Sequence, residues 1–198
     1  MNRIAIAFSA LALMTMPAYA QQPQAQCGLT EATSPSVRGV RLGMSTEQLL
    51  ALFPANARRR DFKDALERVK TASSDETARL SIDPMIDASG DTSAGAVAVG
   101  LTKGRVTDFT ISYVGPTWRN VDEWVAKLTE SLKLPAGRTW TVGPNENPNK
   151  ILRCNGIEIE AAIQGGGGSI TIRNTEQVKV GEQRRDAGEE KKRREFKP

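Results

Sequence analysis

The side chains with the most chemistry to offer are few. They are the carboxylates Glu158 and Glu160, the run Arg58-Arg59-Arg60, and the cysteines Cys27 and Cys154. Paired Asp or Glu residues perform acid–base hydrolysis when they are suitably spaced and one has a raised pKa. Clustered arginines suit phosphate or carboxylate, whose oxygens match the guanidinium fork. An isolated cysteine pair without a Cys-x-x-Cys spacing suits one structural disulfide in an oxidising compartment rather than redox exchange. Histidine is absent from all 198 positions. That removes the commonest general base near neutral pH, the commonest metal ligand and every imidazole triad. No metal site, cofactor or catalytic set is expected, and the balance leans away from an enzyme.

The first twenty residues supply the compartment. Met1-Asn2-Arg3 leads an apolar run from Ile4 to Met16, and Ala18-Tyr19-Ala20 precedes Gln21. A basic start, a short apolar segment and a small-x-small end read as a secretory signal peptide cut after Ala20. The run falls short of the roughly 20 apolar residues a bilayer span needs, so no transmembrane segment is expected. The protein is placed in the periplasm or outside the cell. Residues 24–26, Gln-Ala-Gln, carry no Leu three positions before Cys27, so a lipid anchor there is not expected. A Cys27–Cys154 bridge closes a loop of about 127 residues, worth roughly 5 kcal/mol in the chain-entropy model. Removing 20 of 198 residues leaves 178, enough for one domain with its own core. The formal charge of +4 becomes +3 without Arg3, and aromatics are 5% of the chain. A base-stacking surface has little to be built from, and no nucleic-acid partner is expected.

These residues need elements to position them. Residues 21–36 read as an extended leader, 37–180 as one domain, and 181–198 as a charged tail, disordered or transiently helical. A strand at 37–42 leads through Gly43 to a helix capped by Ser45 with Gln48 in the capping-box position. Its stripe is Leu49, Leu50 and Phe53, and Pro54 ends it. A second helix is predicted over 61–70 on Phe62, Ala65, Leu66 and Val69. A strand at 78–83 and a loop at 84–94 follow. Val97, Val99 and Leu101 alternate, as do Phe109, Ile111 and Tyr113, which makes a hairpin. A three-residue loop, Thr102-Lys103-Gly104, sets Val97 opposite Phe109 and keeps one face apolar.

Asn120 caps a helix over 120–134, with Val121, Trp124, Val125, Leu128 and Leu132 inward and a Glu123–Lys127 surface pair. A strand is expected at 138–142. Asn155-Gly156 is the strongest hairpin signal, pairing Cys154 with Ile157, Leu152 with Ile159 and Arg153 with Glu158. A Gly166-Gly167 turn sets Ile163 opposite Ile170 and Ala161 opposite Ile172. A strand, not a helix, follows the glycine run 165–168, so it is no phosphate loop. The fold class is α+β: a two-layer arrangement of an antiparallel sheet with helices on one face, whose order allows two helix-then-strands repeats.

The uncovered sheet face then offers Asp108, Thr110, Ser112, Arg153, Glu158 and Glu160 as the working surface. Arg58, Arg59 and Arg60 form a second candidate beside Asp61 and Asp64. The tail cluster 191–194 suits contact with anionic surfaces. Trp124 and Trp140 fit core patterns.

The stretch 39–48, Gly-Val-Arg-Leu-Gly-Met-Ser-Thr-Glu-Gln, resembles the strand-to-helix start of small exported bacterial proteins. Outer-membrane assembly lipoproteins of the SmpA/OmlA type and the β-lactamase-inhibitor-protein fold begin their units similarly. The resemblance implies a small envelope module that works by binding, and it carries no functional residue across. The expected function is therefore an exported, non-catalytic binding module of the bacterial envelope, with another envelope protein or a cell-wall component as partner. The alternatives are an envelope hydrolase using Asp/Glu carboxylates and a proteinaceous inhibitor of another exported enzyme.

Overall fold

The computed structural model describes residues 28–71, 77–87, 93–134, 140–144 and 148–196. The export segment and residues 21–27 of the leader, Cys27 among them, lie outside the described residues. Chain order is α1 (Thr46–Leu52), a 3-10 turn (Asn56–Arg58), α2 (Arg60–Thr71), β1 (Thr77–Ile82) and α3 (Pro84–Asp87). The hairpin β2 (Ala94–Thr102) and β3 (Arg105–Tyr113) follows, then α4 (Val121–Leu132) and β4 (Thr141–Val142). β5 (Asn149–Cys154), β6 (Ile157–Gln164), β7 (Gly167–Asn174) and α5 (Thr175–Glu195) complete it. The strands form one antiparallel sheet in the order β1-β2-β3-β7-β6-β5-β4. The fold is the expected α+β type.

Alternation builds the core. Leu80, Val97, Val99, Phe109, Ile111, Ile159, Ile170 and Ile172 are each no more than 1% exposed. They share a cluster with Leu49 of α1, its C-cap Phe53, Phe62 and Leu66 of α2, and Trp124 and Leu128 of α4. The α1 capping box forms as expected: Gln48 N–H donates to Ser45 Oγ at 3.3 Å, and Ser45 N–H donates to Gln48 Oε1 at 3.0 Å. At α4, Asn120 Oδ1 accepts from Glu123 N–H at 2.9 Å. The expected Glu123–Lys127 pair does not form. Glu123 turns back to Arg119 and Lys127 pairs forward with Glu130 at 3.1 Å. The residues after Leu134, expected to stop this helix, lie outside the described set, and Lys133 already leaves the helix with φ 50°.

Two hairpins correct the expected pairing. The first turn is two residues, Lys103 and Gly104, with φ 53° and 69°. Leu101 pairs with Val106 and Gly100 with Asp108, so Thr107 is an extra residue in β3. That bulge restores the apolar parity a two-residue turn alone would lose, setting Val99 opposite Phe109 and Val97 opposite Ile111. At the glycine run the turn is Gly165-Gly166, with Ala161 opposite Ile170 and Ile163 opposite Gly168. The expected and observed registers keep the same faces, so alternation could not choose between them. Trp124 does. A Cβ at Gly168 would lie 2.8 Å from its ring, and Trp124 Nε1 donates to Ser169 O at 2.8 Å. The Asn155-Gly156 hairpin has the expected register throughout. The strand expected at 37–42 is instead a tight turn in which Val37 and Val40 exchange two backbone hydrogen bonds. Its φ values of 52° at Arg38 and 80° at Gly39 are too sharp for a strand.

The corner after α1 is held by Asn56, which is fully buried. Its Nδ2 donates to Asp83 O at 2.7 Å and its Oδ1 accepts from Asp83 N–H at 3.0 Å. Asp87 accepts from Ala55 N–H, Asn56 N–H and Asn56 Nδ2. Burial works to raise the Asp87 carboxyl, but these donors, with Arg58 nearby, hold it below its ordinary range. The folded protein therefore binds this proton less readily than the unfolded chain. The resulting stabilisation is complete above the unfolded value of about 4 and is lost as pH falls through the folded one. Asp87→Asn is expected to cost about 1 kcal/mol near neutral pH and little in strong acid. Urea unfolding across that pH range would show a flattened acid limb.

Candidate functional site

Strand parity places six of the nine predicted binding residues on the sheet face opposite the helical core. One cross-strand row on this face spans six strands: Arg79, Gly100, Asp108, Arg173, Glu158 and Arg153. At about 4.8 Å per strand it is roughly 24 Å long. Apart from Gly100 its charges alternate, the cross-strand arrangement that favours opposite neighbours. The next row holds Ser81, Ala98, Thr110, Thr171, Glu160 and Ile151. The third holds Ala96, Ser112, Ser169, Ala162 and Asn149. A line of charges thus borders a floor whose side chains are small on β1, β2, β3 and β7, with Glu160, Ile151 and Asn149 at its β6–β5 end.

Arginines tie the carboxylates together. Glu158 Oε2 accepts from Arg153 Nε at 2.8 Å, and its Oε1 lies 3.5 Å from Arg173 Nε. Arg173 also donates to Glu160 Oε2 at 2.9 Å, and Asn149 Nδ2 donates to Glu160 Oε1 at 2.7 Å. Side-chain exposure is only 11% at Glu158 and 14% at Glu160. All four oxygens of the two carboxylates are engaged by Arg153, Arg173 and Asn149. Thr110 and Thr171 share a hydrogen bond of 2.9 Å.

Gly100 explains how the row bridges its gap. A Cβ there would lie 1.8 Å from Asp108 Oδ2, so the carboxylate rests over the bare glycine. From that position Asp108 reaches Arg79 at 3.4 Å. Gly100→Ala is expected to force the carboxylate out of this rotamer at a cost of about 1 kcal/mol. For a chain of this size that is about 3 °C in melting temperature, readable by thermal unfolding.

The helix α5 converts one end of this face into a recess. Asn174 caps it, accepting from Glu176 and Gln177 N–H at 3.2 Å. Val178, Gly181 and Glu182 then face Arg79, Asp108, Thr110, Thr171 and Arg173 across a cavity of about 370 Å³. That volume is within the range of small-ligand sites. Its charged lining is balanced, Arg79 and Arg173 against Asp108 and Glu182. Thr102 Oγ1 at its edge is buried with no hydrogen-bond partner. The helix begins at Thr175, so the charged segment set apart at Gly181 continues an element whose first turns are part of the recess.

The arginine run lies elsewhere. Arg58 ends the 3-10 turn, Arg60 starts α2, and neither lines the cavity. Arg59 is committed locally, with its NH2 2.6 Å from Asp61 Oδ2. This hydrogen-bonded pair lowers the Asp61 carboxyl from its ordinary value and raises the guanidinium. Sequence reasoning did not single out Arg79, Arg173, Asn149 or the α5 residues. Arg173 carried a usable signal, since it continues the polar parity of Ser169 and Thr171. The α5 residues carried none. Trp118 lies tilted against Trp124 at a ring distance of 5.0 Å, and Tyr113 meets Trp124 edge-on at 5.4 Å, so Trp118 and Trp124 serve the helical layer. Trp140 is half-buried against the same core.

Cys154 is buried, and no free cysteine occurs among the described residues. Among the same residues, no group of three or more His, Cys, Asp or Glu could hold a metal ion. No helix there is long and apolar enough to cross a membrane. Comparison with protein-family models, curated proteins and solved structures returns no match.

Proposed function

We propose that this protein is an exported, non-catalytic binding module of the bacterial envelope whose working surface is the polar sheet face with the α5 recess. The supporting observation is the geometry of that face: a row of paired charges beside a floor largely of Ala, Ser and Thr, ending in a polar cavity. Such a face presents many hydrogen-bonding groups with little side-chain entropy to lose on contact. Saturation of Glu158 and Glu160 by arginine and Asn149 favours recognition over carboxylate hydrolysis. The partner is another envelope protein or a cell-wall component with matching polar groups.

Photo-crosslinking residues placed at Thr110 or Ser112, and as a control at Met85 beside the helical layer, test this in producing cells. A discrete adduct from the first two positions and none from Met85 is expected. Adducts from Met85 alone, or from no position, would overturn the assignment of this face.

Cys154 pairs with Cys27 in the same reading, stapling the leader to the end of β5. Protein recovered from the envelope is expected to begin at Gln21 and to show no thiol on titration after unfolding without reductant. Two thiols would refute the staple.

A further inference from the structure

A second recess lies on the other side of α5, between its first turns and the tip of the β2–β3 hairpin. It encloses about 550 Å³ and is lined by Lys103 and Arg105 from the tip and by Lys179, Gln183 and Arg184 from the helix, with Glu176 its one carboxylate. Four cations therefore converge from two elements far apart in sequence. Like charges gathered in this way raise the potential of a recess and favour an anion within it.

The backbone under these cations is fixed. The tip is a two-residue turn with positive φ at Lys103 and Gly104. Arg105 NH1 donates to Gly43 O at 3.0 Å, which orients its guanidinium. On the helix side, Asn174 caps the first turn, while Gln177 Nε2 and Asn174 Nδ2 both donate to Glu31 Oε2, at 2.9 and 3.1 Å. Thr102 also lines this recess.

From this convergence we infer a site for a phosphate-type anion between the hairpin tip and α5, separate from the polar-face surface. Two pairs of cationic donors with the Gln183 amide beside them match the several oxygens of a phosphate monoester or diester. The group is carried either by a membrane lipid headgroup or by a soluble phosphate ester. The distal cluster 191–194 is a different feature. Glu189, Glu190 and Glu195 flank it, and Arg194 pairs with Glu190.

Two probes separate the sources, with the purified mature protein beginning at Gln21 throughout. Inorganic pyrophosphate is titrated while backbone amide shifts are followed by NMR. Vesicles of phosphatidylglycerol and phosphatidylethanolamine, or of phosphatidylcholine alone, are sedimented with the protein. Saturable shifts confined to the hairpin tip and the first turns of α5 are expected. Lys179→Ala with Arg184→Ala should weaken binding at least about tenfold, in line with losing charge-assisted hydrogen bonds. Arg193→Ala with Arg194→Ala should leave it unchanged. Pyrophosphate binding with anionic-vesicle binding, both lost in the first variant, assigns a headgroup. Pyrophosphate binding alone assigns a soluble ester. The site is refuted by no saturable binding of either probe, by binding indifferent to the Lys179/Arg184 change, or by binding abolished only by the Arg193/Arg194 change. None of these outcomes bears on the photo-crosslinking result at Thr110 and Ser112.

Discussion

Arg173→Met is expected to lower the free energy of unfolding by about 2–3 kcal/mol, whereas Arg153→Met costs under about 1 kcal/mol. Both arginines touch Glu158, but they sit in different surroundings. Arg173 stands between Glu158 and Glu160 and opposite Asp108, and is 33% exposed. Its removal leaves three carboxylates, each 18% exposed or less, facing one another without the central cation. Breaking a buried pair from one side typically costs about 3–5 kcal/mol, and the partial exposure of Arg173 reduces that. Arg153 is 62% exposed and its loss leaves Glu158 still beside Arg173. Urea unfolding of both variants with unchanged slope measures the difference. Equal, small costs would mean that the charged row is an ordinary solvated surface. Arg173 also lines the α5 recess, so its replacement should weaken crosslinking from Thr110 as well.

Asn56→Ala is expected to cost about 3 kcal/mol, among the larger effects of a single polar deletion. The side chain is fully buried and satisfies both the N–H and the C=O of Asp83 while donating to Asp87. Alanine leaves those groups without partners and opens a void beneath the corner. Asn56→Asp separates the two contributions. It keeps an acceptor for Asp83 N–H, loses both amide donors and sets a second carboxylate against Asp87, so it should be no more stable than the alanine variant. A cost below about 1 kcal/mol for Asn56→Ala, measured by urea unfolding, would show that the corner relaxes and that Asn56 is not its anchor.

Much of the fold was legible because local rules and burial agreed. Ser45 and Asn120 announced their helices through capping chemistry, and Asn155-Gly156 fixed a register because only one turn geometry suits that pair. The polar face followed from parity alone, which is why Asp108, Thr110, Ser112, Arg153, Glu158 and Glu160 were assigned together. The Arg58–Arg60 run was a weaker guide, since adjacent residues in sequence need not share a surface. Arg59 proves to be committed to Asp61.

By itself, then, the sequence determined the α+β class, the alternation of the strands and the membership of the polar face. Each depends on which side of an element a residue occupies, and that is periodic along the chain. The tertiary structure decided the rest. Registers differing by two residues bury the same side chains, and only the Trp124 ring seated on Gly168 separates them. The β3 bulge at Thr107 arises from reconciling a two-residue turn with one apolar face. The position of α5, and with it both recesses, depends on where β7 ends beside the hairpin tip. A polar helix with no apolar stripe gives no sign of which surface it will meet, because periodicity tells a helix which way to face only when there is apolar surface to hide.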